Sequence, residues 1–92
     1  GAFAVVLEMV PAPLAKEVSA KLSIPTIGIG AGSGTDGQIL VWTDFAGLSD
    51  RKPSKFVKQY ANLNQILSSA AQQYRAEVES GVFPADSNSF TD

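Results

Sequence analysis

Residues 4–30 read AVVLEMVPAPLAKEVSAKLSIPTIGIG, and the fold class follows from how this stretch divides. Ala4, Val5, Val6 and Leu7 form an apolar run with adjacent β-branched residues, the pattern of a strand buried on both faces. Glu8 ends the run, and Met9-Val10-Pro11 leads into a segment where Leu14, Val18 and Leu22 recur every four residues among Lys16, Glu17 and Lys21. That spacing predicts an amphipathic helix of about three turns over residues 13–22, opened by prolines that a first turn tolerates. Ser23 breaks it, and Ile24-Pro25 leads into a second strand, residues 26–30, that closes in glycines. Strand, helix and strand joined by short links are the grammar of a parallel β/α unit.

Beyond this unit, residues 31–37 are turn-rich, and Gln38-Ile39-Leu40-Val41-Trp42 reads as a third strand. Residues 44–53 read as a loop. A helix is expected from Ser54, with Phe56, Val57 and Tyr60 on one side. Asn62 and Asn64 mark a break and a new N-cap. A longer helix should then run to Ser80, burying Ile66, Leu67, Ala70, Ala71, Tyr74 and Val78, with Gly81 as its C-cap residue. Residues 84–92 are polar and expected to be irregular. No internal repeat is present. Three nearly all-apolar strands imply a parallel sheet covered on both faces, which needs more strands and helices than 92 residues supply. The chain therefore reads as part of a larger α/β protein, and a barrel fits best.

Composition narrows the chemistry. Hydrophobic residues make up 45% and charged residues 17%, too apolar for a disordered tail, and no apolar stretch approaches a transmembrane span. With no Cys and no His, disulfides, thiol nucleophiles, catalytic imidazoles and Cys/His zinc sites are excluded within the chain. Seven basic against nine acidic residues leave no footprint for nucleic acid. Nothing near Gly1 reads as a signal peptide.

Glu8 is the leading catalytic candidate. It stands where an apolar strand meets a proline-led turn, and active sites of parallel α/β folds assemble at such carboxyl ends. Flanked by Leu7 and Met9, its carboxylate would lose part of its hydration, the condition for a useful general base. The alternatives are a glutamate that has reached solvent, or one paired with a lysine. Gly28-Ile29-Gly30-Ala31-Gly32 would let backbone amides approach an anion, or would simply give room for a tight turn. No helix is expected after it, so a dinucleotide fingerprint is rejected. Asp36-Gly37 is a turn pair, and Asp36 or Gln38 could hold a neighbouring loop by hydrogen bonds. Asp44 could face the same strand-end surface as Glu8 or cap the next segment. Ile39 and Val41 share strand parity and hence a face. Lys52, Lys55 and Lys58 fall at helical spacing and read as a solvated flank.

Four segments together resemble the ketopantoate hydroxymethyltransferase family: Leu-Glu-Met-Val-Pro at 7–11, Ile-Pro-Thr-Ile-Gly-Ile-Gly-Ala-Gly at 24–32, Asp-Gly-Gln-Ile-Leu-Val at 36–41, and Ala-Glu-Val-Glu-Ser-Gly-Val-Phe-Pro at 76–84. The resemblance implies a (β/α)₈ TIM barrel, of which residues 1–92 would be the C-terminal segment, strands six to eight and the terminal helices. It implies transfer of a hydroxymethyl group from 5,10-methylenetetrahydrofolate to 3-methyl-2-oxobutanoate, giving 2-dehydropantoate in pantothenate and coenzyme A biosynthesis. Members are cytoplasmic, Mg²⁺-dependent homo-oligomers, typically decamers, with no nucleic-acid or membrane partner. Glu8 matches the family's catalytic base, and Ile29, Ile39 and Val41 match positions lining the pocket for the substrate's isopropyl group. The Mg²⁺ ligands and the substrate-carboxylate lysine are expected outside this chain, in the N-terminal remainder of the barrel, so no residue here is assigned to metal. Asn88 stands where the family usually has His, which bears on tail packing. The alternative reading is an inactive truncated or split fragment that only complements an N-terminal piece. A third is an anion-binding β/α module using Gly28 to Gly32.

Overall fold

A computed structural model describes residues 1–92. Three parallel strands, β1 (Val5–Glu8), β2 (Thr26–Ile29) and β3 (Gly37–Gln38), form a sheet in sequence order. Helix α1 (Ala12–Lys21) crosses between β1 and β2 as the sequence predicts. A short helix, α2 (Trp42–Phe45), follows the sheet. The long helix α3 (Leu63–Ser80) is capped by the Asn62 side chain, which accepts from the Gln65 N–H at 3.3 Å. It ends at Gly81, which takes the left-handed conformation (φ 79°). A single 3₁₀ turn, Asp86–Asn88, interrupts the irregular tail. Asn88 Oδ1 accepts from the Ala85 N–H at 3.2 Å, a local use for the residue at this position.

Register assigns the two faces of the sheet. Val5 pairs with Thr26 and Leu7 with Gly28, and Gly28 pairs with Gln38, so these residues share one face. That face carries α1: Thr26 is fully buried and its hydroxyl lies 2.7 Å from that of Ser19. Ala15 is also fully buried, whereas Leu14 and Leu22 stay 49% and 42% exposed. The contact stripe on α1 is therefore Ala15, Val18 and Ser19 rather than Leu14, Val18 and Leu22, because small side chains let the helix approach the strands closely. The opposite face, holding Val6, Glu8, Ile27, Ile29 and, one step past β3, Ile39, has no covering element. Only six of the 92 residues are buried, so the chain by itself does not enclose a core.

The link from β2 to β3 is unusual, since parallel strands normally need a crossover of a dozen or more residues. Here residues 30–36 suffice, because they run as an extended loop pressed on α1. Gly34 is needed for that contact: a Cβ there would meet the Lys16 Cβ at 2.7 Å. Hydrogen bonds fix the loop at both ends. Asp36 Oδ2 accepts from the Thr26 N–H (2.8 Å) and hydroxyl (3.1 Å), and Gln38 Nε2 donates to the Gly32 carbonyl (2.7 Å) and Thr35 Oγ1 (3.0 Å).

The stripe expected to be buried on α3 is exposed, and two expected elements are cut short, one for want of a neighbour and one by tertiary contacts. The third strand, expected over residues 38–42, stops at Gln38, with one more ladder bond from the Ile39 N–H to the Gly28 carbonyl (3.0 Å). β2 has ended there and β3 is an edge, so Leu40 and Val41 have nothing to pair with, and Trp42 opens α2 instead. The helix expected from Ser54 is reduced to a single turn, closed by the Val57 N–H on the Ser54 carbonyl. Tertiary contacts override it: the Tyr60 and Ala61 N–H groups donate to the Phe45 carbonyl, and Phe56 packs on Gly30. Lys52, Lys55 and Lys58 are all exposed, as a solvated flank should be, although no helix aligns them. Lys58 lies 5.0 Å over the Tyr60 ring.

Candidate functional site

The carboxyl edge of the sheet brings the sequence candidates together. Glu8 is in register with Ile29, and the step after Gln38 places Ile39 beside Ile29 on the same uncovered face. Val41 lies just past this edge as the residue preceding α2, 51% exposed. A carboxylate is thus set beside branched apolar side chains at the end where parallel β/α proteins do their chemistry. Glu8 makes no ion pair; the chain's two are Glu17–Lys21 and Arg75–Glu79. The lysine-paired alternative is therefore excluded within the chain. The expected desolvation is absent too: Glu8 is exposed, because nothing in residues 1–92 covers its face. Ile29, Ile39 and Val41 likewise share an edge without forming an enclosed pocket, and Ile39 is 47% exposed.

The turn after Glu8 has a feature that the sequence reading missed. Met9 has φ 54°, the only non-glycine residue with positive φ, while its N–H still donates to the Ile29 carbonyl at 2.9 Å. Only Met9, Val10 and Pro11 reverse the chain from β1 into α1, and Val10 is held extended by the proline that follows it. The reversal falls on Met9, at a cost of about 1–2 kcal/mol for a residue with a Cβ. The signal was the three-residue link itself, which leaves no other position for the turn.

Beside this turn lies a cavity of about 810 Å³ whose walls include Met9, Val10, Gly30, Gln38, Lys55 and Phe56. Gly30, with φ 66°, bends away from β2 at this point, and a Cβ on it would stand 2.9 Å from the Phe56 ring. Phe56 and Lys55 come from a segment more than twenty residues away, and nothing local in the sequence announces their arrival here. Neither Glu8 nor Ile29, Ile39 or Val41 lines this cavity.

The remaining candidates separate. The glycines from 28 to 32 serve close packing of the loop and lead into no helix. Asp36 and Gln38 hold that loop, as the hydrogen-bonding reading anticipated. Asp44 lies in the first turn of α2 and lines a smaller cleft with Arg51 and Lys52, apart from Glu8. No group of three or more His, Cys, Asp or Glu side chains is placed to hold a metal ion. No helix is long and apolar enough to cross a membrane.

The arrangement is a parallel β/α segment with one carboxylate at its strand ends. Sequence comparison makes this specific. The family model described as ketopantoate hydroxymethyltransferase matches residues 1–86, so the chain belongs to that family. Proteins named 3-methyl-2-oxobutanoate hydroxymethyltransferase from Mycobacterium tuberculosis and Leifsonia xyli are 60% and 59% identical over 90 residues, 98% of this chain and 32% of each relative. The protein of that name from Corynebacterium glutamicum is 59% identical over the same length, 34% of its own. The chain spans about a third of the length of the curated relatives it matches.

Proposed function

We propose that this chain is the C-terminal third of a TIM-barrel 3-methyl-2-oxobutanoate hydroxymethyltransferase, contributing the general base and part of the substrate pocket. The observation that carries the reading is the register that sets Glu8, Ile29 and Ile39 side by side at the carboxyl edge of one sheet face. The Glu8 carboxylate takes the C3 proton of 3-methyl-2-oxobutanoate while Ile29, Ile39 and Val41 hold its isopropyl group. The carbanion equivalent, an enolate, attacks the methylene carbon of 5,10-methylenetetrahydrofolate. Water supplies the hydroxyl oxygen: one carbon–carbon and one carbon–oxygen bond form, both carbon–nitrogen bonds of the methylene bridge break, and the two folate nitrogens take up the protons released from C3 and from water, giving 2-dehydropantoate and tetrahydrofolate. The family resemblance also calls for Mg²⁺. The residues present do not assemble a site for it, so its ligands belong to the rest of the protein and no step is assigned to it.

The N-terminal remainder of the barrel is the partner that the bare sheet face calls for, since it would cover Glu8 and strip its hydration. Homo-oligomerisation is supported by α3. A globule of the relatives' length, roughly 280 residues, has a diameter of about 48 Å, whereas this third alone extends 68 Å. Part of α3 then stands clear of its own barrel, and a second copy is the economical cover for Ile66, Leu67 and Tyr74, each at least 56% exposed. The decameric count and the cytoplasmic setting rest on the family resemblance. A second reading, an inactive fragment that only complements an N-terminal piece, is favoured by the six buried residues and the missing metal cluster. Both are tested by exchange of the substrate's C3 proton with solvent deuterium. Full-length protein should exchange and its Glu8→Gln variant should not. Exchange by the isolated 92 residues would overturn the dependence on a remainder, and equal exchange by Glu8→Gln would overturn the base.

A further inference from the structure

We propose that Met9 is a positioning residue for the base: its left-handed backbone keeps the peptide that follows Glu8 bonded to β2, and so fixes the direction of the Glu8 carboxylate. This rests on the proposed role of Glu8 and adds what holds that side chain in place. A base works only within hydrogen-bond reach of the proton it takes, so a small rotation of the residue that carries it matters. Pairing with Ile29 sets Glu8 in register. The plane of its next peptide is set by the Met9 N–H, which donates to the Ile29 carbonyl at 2.9 Å, one residue past the end of β1. An extended Met9 could keep this bond only if the chain then ran straight on, away from α1.

The surroundings leave the chain no other place to turn. Pro11 is extended (φ −53°, ψ 135°), and Val10, β-branched and before a proline, is confined to extended backbone. Beyond them, the start of α1 is fixed in place. Its first residue, Ala12, packs on Gly32, where a Cβ would come within 2.5 Å of the Ala12 Cβ. With β1 held by its ladder and α1 by that contact, the reversal falls on Met9 at φ 54°. A strained residue persists where fixed structure on both sides demands it, and such residues gather beside the chemistry. Giving up the left-handed turn means pulling the Met9 N–H away from Ile29, and that swings the peptide that aims Glu8.

The test uses the full-length enzyme that carries this segment and reads kcat and KM for exchange of the C3 proton of 3-methyl-2-oxobutanoate, per folded molecule. Three changes are compared: Met9→Gly, Met9→Val, and a glycine inserted between Val10 and Pro11. Glycine enters the left-handed region freely, whereas a β-branched residue resists it. Met9→Val should have a kcat about tenfold below that of Met9→Gly, with KM within twofold. The insertion keeps every side chain and costs little in loop entropy, yet it lets the turn move off Met9. It should also lower kcat about tenfold, and it carries the test where Met9→Val fails to fold. Equal kcat in all three proteins, whatever their unfolding midpoints, overturns the proposal. So does a loss in Met9→Gly as large as that in Met9→Val, which would assign the role to the Met9 side chain. Glu8→Gln is measured beside them. Exchange as fast as the parent's overturns the base and this inference with it, whereas an inactive Glu8→Gln beside a flat Met9 series overturns the positioning alone.

Discussion

The sequence predicts a one-sided apolar stripe on both α1 and α3, and the structure treats the two helices differently. On α1, Ala15 is fully buried and Ser19 meets Thr26 across the interface. On α3, Ile66 and Tyr74 are each 60% exposed and no residue is buried. α1 lies between two strands of its own chain, so its partner surface is supplied by the same 30 residues. α3 is tied down at its start, where the Leu63 and Asn64 N–H groups donate to the Ala46 and Gly47 carbonyls. Past that point the returning segment touches it, with the Val82 and Phe83 N–H groups donating to the Glu77 carbonyl and the Phe83 ring 5.6 Å from that of Tyr74. An apolar stripe specifies that a helix will be covered; it does not specify by what. The sheet half of this chain is where the chemistry is proposed, and the helical half is where assembly is proposed. The two can be broken separately.

The largest effect is expected at Glu8. Glu8→Gln in the full-length enzyme should lower C3-proton exchange by roughly 10²–10⁴-fold, with its sedimentation unchanged. The converse change is Ile66→Asp with Leu67→Asp. It puts two charges on the exposed α3 stripe, where each buried side chain would contribute about 1.5–3 kcal/mol to an interface. The expected outcome is loss of the oligomer by light scattering, with α3 helicity kept. Should the double variant assemble normally, α3 is not the contact between copies.

A smaller effect tests how the sheet half holds itself together. Asp36→Ala removes the acceptor for the N–H of the fully buried Thr26. It should cost about 1–3 kcal/mol by urea unfolding of the full-length protein. Asp36→Asn, which keeps an acceptor oxygen, should cost less. Equal losses would mean that charge rather than the hydrogen bond matters at this position.

How much of this was legible follows the same division. The β/α/β unit was readable because its partners are consecutive in sequence: Val5–Glu8, α1 and Thr26–Ile29 close on one another, and the observed bounds lie within a residue or two of those expected. The caps of α3 were readable because Asn62 and Gly81 act locally. Leu40 and Val41 were misread as strand because their β-propensity is real but their neighbour is missing. Phe56 was misread as helical because its contact with Gly30 is non-local. At the site, Glu8 was legible from its place after an apolar run. Met9 was passed over, since a positive φ on a non-glycine residue leaves no compositional mark.

The smallest expected effect compares the two helices through their charge pairs. Glu17–Lys21 (2.7 Å) runs glutamate first, with Lys21 in the last turn of α1, where the helix dipole favours a cation. Arg75–Glu79 (2.9 Å) runs the other way and sets Glu79 in the last turn of α3, which has no basic residue. Both pairs are exposed and therefore weak in themselves. In α1 the pair and the dipole act together, so Lys21→Gln should lower stability by about 0.5 kcal/mol. In α3 they oppose each other. Removing the charge in Glu79→Gln loses the pair but relieves the anion at a negative helix end, so the net change should be near zero or slightly stabilising. Thermal melts of both variants at low salt and at 1 M salt check this, because screening should erase the difference between them. A loss for Glu79→Gln as large as that for Lys21→Gln would show that α3 has acquired a partner near its C-terminal end that needs the carboxylate.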